Sequence, residues 1–260
     1  EGFRVTTVQI VNEEGARALG KPEGTYVTLE LDGLLRREEG AFPRAARALA
    51  TELSGLLELP DGALVLVVGL GNRAITPDRV GPRTAEHIIV TRHLVERSPE
   101  HFPVSALAAG VLGTTGMESG ELIAAVVERL RPACVVAVDA LASRSVKRVG
   151  RTIQLSDTGI VPGSGVGNAR KALNRETLGI PVIAVGVPTV VDAATLACDL
   201  LAEAGKGDFE PEALGGAQGL IVPPRDVDAQ VEDLAKVIGY GIDLALQPGL
   251  TVEDIDLLVS

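Results

Sequence analysis

Three stretches of this chain are apolar without interruption: ALVLVV at 63–68, ACVVAV at 133–138 and PVIAVGV at 181–187. A half-exposed strand alternates apolar and polar residues, so unbroken β-branched runs of this length predict strands covered on both faces, as in a parallel sheet. FRVTTVQIV (3–11) and TYVTLEL (25–31) do alternate, and the GKPEG between them is turn chemistry. They predict an edge hairpin. Apolar residues at three- and four-residue spacing predict core-facing helices over Phe42–Leu57, Pro82–Val95, Asp192–Ala204 and about 226–246. A shorter strand is expected near Val104–Leu107, then a helix capped by Ser119 or Thr115 and running to Leu130. TVEDIDLLVS carries a Thr-x-x-Asp capping pattern near the C-terminus.

Apolar strands alternating with helices imply right-handed βαβ units. The expected fold is therefore α/β: a three-layer α/β/α sandwich with a mostly parallel central sheet and an N-terminal edge hairpin. Residues 1–260 read as a single domain, with the Gly- and Pro-rich 205–224 as loop or linker.

Charge and composition remove several function classes. Net charge is −11 and aromatics are 2% with no Trp, so neither a basic face nor a stacking platform for nucleic acid is legible. No apolar run approaches the 18 or more residues that span a bilayer, and no signal peptide is visible. Cys134 falls in an apolar strand and Cys198 in a helical pattern, which reads as two buried thiols in a reducing, cytoplasmic compartment.

Asp139 follows the 133–138 run directly. It either caps a helix opening in ALASR or stands at the carboxyl rim of the sheet, where open α/β folds bind ligands. Asp78 follows the 63–68 run in the loop GLGNRAITPDRVGP, and is either a solvated turn acid or a partner for Asp139 at the same edge. GLGNRA fits a degenerate dinucleotide fingerprint, but Pro77 and Pro82 delay the helix that would hold a pyrophosphate to about Pro82. His87 and His93 lie six apart on different helix faces, and Arg83 stands where an HxxEH motif needs histidine. No nucleophile elbow, P-loop or activated cysteine is present, so no cofactor and no metal is assigned. Two carboxylates at one sheet edge remain. Such a pair shares a proton, letting one activate water while the other polarises or protonates an amide. Asp157 and the glycine-rich loop Gly163, Gly165, Gly167, Asn168 stand nearby in sequence, either as plain turn or as support for the site.

The stretches LGNRAITPDRVGP, VTRHL, GTTGMESGELI, VVAVDALASRSVKRVGRTIQLSDTGIVPGSGVGN and TLGIPVIAVGVPTVVDAATL resemble the germination protease family of endospore-forming bacteria. The resemblance is dense over about 65–200 and looser over Phe3–Leu31. It implies a phosphorylase/hydrolase-like fold related to the hydrogenase-maturation endopeptidases. It also implies an endopeptidase of atypical aspartic type that degrades small acid-soluble spore proteins during germination, working in the spore core as a homotetramer. The family's essential aspartates fall on Asp78 and Asp139. Asn72, Ser143, Arg144, Asp157 and the 163–168 loop are the supporting or substrate-binding residues it points to. The family is made as a zymogen, and none of the resembling stretches corresponds to its pro-segment. Val161 replaces the histidine of the family's HPGSGVGN, and the region between Leu201 and Val222 is shorter. Two other readings remain open: a metal-dependent peptidase with both aspartates as ligands, and a non-catalytic relative that keeps the fold for binding.

Overall fold

The computed structural model describes residues 2–94, 102–164, 167, 170–207, 209 and 219–259. The strands are β1 (Val5–Ile10), β2 (Gly24–Glu30), β3 (Val65–Leu70), β4 (Val104–Gly110), β5 (Cys134–Ser143), β6 (Thr152–Ser156), β7 (Val182–Asp192) and β8 (Ile221–Val222). The α-helices are α1 (Glu13–Leu19), α2 (Asp32–Leu35), α3 (Ala41–Leu56), α4 (Val80–Glu86), α5 (Leu112–Thr115), α6 (Ser119–Leu130), α7 (Arg175–Leu178), α8 (Ala193–Glu203), α9 (Val227–Leu246) and α10 (Val252–Val259).

The strands form one mixed sheet in the order β1-β2-β6-β7-β5-β3-β4, with β8 added antiparallel to the end of β7. β7, β5, β3 and β4 are parallel to one another, and the three unbroken apolar runs, in β7, β5 and β3, are inner strands of the sheet, β7 being flanked on its other side by β6. Each inner strand serves two cores. Cys134, Val136 and Val138 of β5 pack into a cluster with α3, α4 and α9, while Val135 and Ala137 face α6 and Leu173 on the other side. Helices thus cover both faces of the sheet, the three-layer sandwich expected of strands that lack a polar face.

The N-terminal strands pair antiparallel at the sheet edge. Their connection is not a tight turn, however: it holds α1, whose Asn12 side chain accepts the Gly15 N–H at 2.9 Å and whose end turns at Gly20 with φ 62. β6, a five-residue strand with no counterpart in the sequence reading, lies antiparallel between β2 and β7 and joins this edge to the parallel block.

Two central strands run further than their apolar cores. β5 continues through Asp139 to Ser143 alongside β7, so Asp139 lies within a strand and caps no helix. β7 includes Pro188, which the ladder tolerates because the missing N–H falls on the β6 side, where pairing has already ended at Gly186. In contrast, α4 is shorter than the expected Pro82–Val95. It closes at His87, Ile89 N–H is taken by the Asp243 carboxylate of α9 at 3.0 Å, and His93 sits in a separate turn, Arg92–Leu94; Val95 lies outside the described residues. α3, α6, α8, α9 and α10 fall where periodicity puts them, with Asp192 accepting Ala194 N–H and Thr251 reciprocating with Asp254, but neither Ser119 nor Thr115 caps α6: the helix starts after Glu118, and the Ser119 hydroxyl donates to the Gly110 carbonyl instead.

Candidate functional site

The segment after β3 is folded tightly back on itself. The Asn72 side chain accepts Ala74 N–H at 3.0 Å, and Ile75 N–H and Asp78 N–H close two successive turns, the second of them the 3-10 turn Thr76–Asp78. The Asn72 backbone N–H in turn donates to Asp78 Oδ2 at 2.7 Å, fixing the carboxylate over the end of β3. A carboxylate this close to a backbone N–H is a charge-assisted acceptor.

Glycines let the segment lie that close. Gly71 adopts φ +114, and a Cβ there would stand 2.0 Å from the Asp78 carbonyl oxygen. A Cβ on Gly81 would stand 2.2 Å from the Leu70 carbonyl oxygen and 2.5 Å from that of Val138. Backbone therefore lies directly on backbone where α4 begins. These contacts account for GLGNRA and DRVGP as a packing device, with no phosphate cradle needed. Polar pairs then clamp the segment to α9: Thr76 Oγ1 to Asp228 at 3.0 Å, Arg79 to Asp228 at 3.2 Å, and both Arg83 Nε contacts to Glu232 at 2.9–3.0 Å.

Asp139 reaches the same place from β5. It is buried, with 5% of its surface exposed, and its carboxylate Oδ1 accepts the neighbouring Ala140 N–H at 2.9 Å. Burial pushes its pKa up to about 7, and the negative charge of Asp78 pushes in the same direction. Asp78 is itself raised by burial, opposed by the Asn72 N–H. The charge of Asp78 thus reaches Asp139, whose proton is released only near neutrality.

Both aspartates line a cavity of about 610 Å³ at the carboxyl ends of the parallel strands. Asn72 and Gly163 share its wall, as do residues the sequence did not single out: Ile75, Leu112, Thr189, Ile221 and an ion pair between Arg170 and Glu118 at 2.9 Å. Nothing in the sequence joins Arg170 to Glu118; the fold alone brings them together. Gly163 takes φ 72, and Arg170 N–H closes the loop onto the Pro162 carbonyl at 2.9 Å. Gly165 and Asn168 lie outside the described residues, and Gly167 lines no part of the cavity.

The remaining sequence candidates stand elsewhere. Ser143 is buried at the far end of β5, where its hydroxyl donates to the Ser145 carbonyl at 2.5 Å. Arg144 is exposed, and its charge acts on Lys21 rather than on the acids. Asp157 accepts Thr25 N–H at 2.8 Å and ties β6 to β2, two strands away from Asp139. Both cysteines are buried, and burial lifts the Cys134 thiol to about 11, which suppresses thiolate chemistry. Among the described residues, no three His, Cys, Asp or Glu side chains cluster as metal ligands, and no helix is long and apolar enough to cross a membrane.

Comparison with known proteins gives this geometry a lineage. The germination protease family profile matches residues 1–206. The germination protease of Clostridium perfringens (strain ATCC 13124) is 45% identical over 100% of this chain and 89% of its own length. That of Caldanaerobacter subterraneus subsp. tengcongensis is 44% identical over the same shares. That of Bacillus subtilis (strain 168) is 50% identical over 76% of this chain and 56% of its own. With a family profile over most of its length and relatives this close over all of it, the chain belongs to the germination protease family, a family of peptidases.

Proposed function

We propose that this protein is an endopeptidase that cuts small acid-soluble spore proteins during germination, by an atypical aspartic mechanism centred on Asp78 and Asp139. The observation that carries the mechanism is that both acids line one cavity, where burial and the charge of Asp78 lift Asp139 to about 7 while the Asn72 N–H opposes the rise at Asp78. A peptide bond beside them meets an acid and a base together. Asp78 takes a proton from a water molecule as that water's oxygen attacks the carbonyl carbon, and Asp139 gives its proton to the carbonyl oxygen. Collapse of the resulting gem-diol breaks the C–N bond: Asp78 passes its proton to the leaving nitrogen and Asp139 recovers one from the hydroxyl. Both groups end as they began.

Asn72 positions the base, and the clamp from Thr76, Arg79 and Arg83 to α9 holds the segment that carries it. The family relationship supports the germination role, with one domain spanning the chain, a homotetrameric assembly and action in the spore core as its corollaries. Incubation of the purified chain with a small acid-soluble spore protein tests the reading. Discrete fragments are expected from the parent, with cleavage lower by several orders of magnitude for Asp78→Asn or Asp139→Asn. Intact substrate with the parent would leave a binding protein. Loss of cleavage on chelation, restored by a divalent ion, would instead make the aspartates metal ligands.

A further inference from the structure

Pairing along β5 is asymmetric. Towards β7 it extends to Ser143, but towards β3 it stops at Val138, opposite Gly69. β3 leaves the sheet after Leu70, through Gly71, and beyond it β4 ends at Gly110 with φ 71 and turns into α5. From Asp139 to Ser143, the edge of β5 that would face β3 is paired with no strand among the described residues.

Strand alternation fixes which groups point there. Val135 N–H donates to the Pro181 carbonyl at 3.0 Å, on the β7 side, so the odd-numbered residues of β5 address β7 and the even-numbered ones address β3. The register shift after Leu141 is taken up by Thr189 of β7 and leaves β5 continuous, so Ala140 and Ala142 aim their backbone groups at the open edge. Ala140 N–H is taken by Asp139; its carbonyl and both groups of Ala142 have no strand partner on that side among the described residues. Ala140, Leu141 and Ala142 line the cavity that holds the two acids. A strand added here, in the gap that β3 leaves beyond Leu70, would lie one strand spacing, about 4.8 Å, from β5.

We propose that an extended segment of the polypeptide substrate enters this gap as an added strand in line with β3. It hydrogen-bonds to Ala140 and Ala142, and its scissile bond lies beside Asp139. This rests on the peptidase reading and adds how the substrate is held. A polypeptide backbone is the ligand that offers donors and acceptors at the repeat of a strand edge, and Ile75, Leu112 and Ile221 give its side chains apolar walls. The arrangement admits only segments able to become fully extended, so a stably folded protein is excluded without any sequence being read.

The test is an N-methyl scan of a synthetic peptide spanning a bond the enzyme cuts in a small acid-soluble spore protein. Each methyl removes one backbone donor while the side chains stay the same. KM is expected to rise roughly three- to tenfold at alternate positions and to stay near the parent value between them. A profile without that alternation overturns strand addition while leaving the peptidase intact. Failure to cut the unmodified peptide or its parent protein overturns the peptidase reading itself, and the docking mode with it. On the enzyme side, Ala142→Pro removes the central donor. With a melting temperature near that of the parent it is expected to raise KM and leave the pH dependence of kcat unchanged; an unaltered KM in the folded variant overturns the proposal. Should that variant not fold, the peptide scan alone decides.

Discussion

Replacing Asp139 by Asn is expected to make the protein more stable while disabling it. Folding moves this carboxyl from its ordinary 3.8 to about 7, first through burial and second through the charge of Asp78. Below pH 3.8 folded and unfolded chains both carry the proton, and the site costs nothing. As pH rises, the unfolded chain ionises while the folded one stays protonated, so stability falls steadily until about pH 7 and then levels off. Across that gap of about three units the loss reaches at most about 4 kcal/mol. Asn has the same size and no titration, so the variant escapes the loss. The stability difference should be near zero at pH 4 and grow through neutrality to its full value at pH 8. At about 2–4 °C per kcal/mol for a chain of this size, that is a melting temperature higher by roughly 10 °C. Thermal unfolding of both proteins at half-unit pH steps measures it, and a cleavage assay on the same samples should show the variant inactive. A difference that does not vary with pH, or a parent more stable than the variant at pH 8, would refute a buried, protonated Asp139.

Gly71→Ala places a methyl 2.0 Å from the Asp78 carbonyl oxygen at φ +114, so the turn carrying Asp78 must shift by about 1 Å. We expect kcat/KM lower by about a hundredfold, with an unfolding penalty of about 1–3 kcal/mol in chemical denaturation. Asp157→Asn weakens the 2.8 Å acceptor of Thr25 N–H at an exposed position. Stability should fall by about 1 kcal/mol or less, and kcat should change less than twofold; a large loss of kcat would place Asp157 in the chemistry. Asp243→Ala strips the buried acceptor from Ile89 N–H. A cost of about 1–3 kcal/mol is expected, read as a lower denaturation midpoint with an unchanged slope.

The layers of the fold were legible because covering a strand on both faces leaves a one-dimensional trace: an unbroken β-branched run. All three such runs became inner strands, the helix Ala193–Glu203 fell where its Asp192 cap stood, and Ser119–Leu130 fell where its periodicity put it, without the expected cap. Short elements left no such trace. β6 and β8 exist because neighbours supply their partners: β6 pairs on both sides, and β8 borrows the end of β7. The extent of β5 was hidden for the same reason. Only β7 running alongside keeps Asp139–Ser143 extended, and this converts Asp139 from a possible helix cap into a strand residue.

The two acids were legible as types at the ends of predicted strands, but their coupling was not. Sixty residues separate them, and they line one cavity because Gly69, Gly71 and Gly81 let the segment after β3 lie flat against β3 and β5. Asp157, the nearer acid in sequence, faces another strand pair. Arg170 and Glu118 joined the wall with no signal at all. The sequence by itself determined which segments must be buried and which residue types stand at their ends, since burial and capping are set by local composition. Tertiary structure alone decided which ends share a cavity, how far each is withdrawn from water, and hence which carboxyl keeps its proton, because desolvation and the field of a neighbouring charge depend on distances that the chain order does not contain.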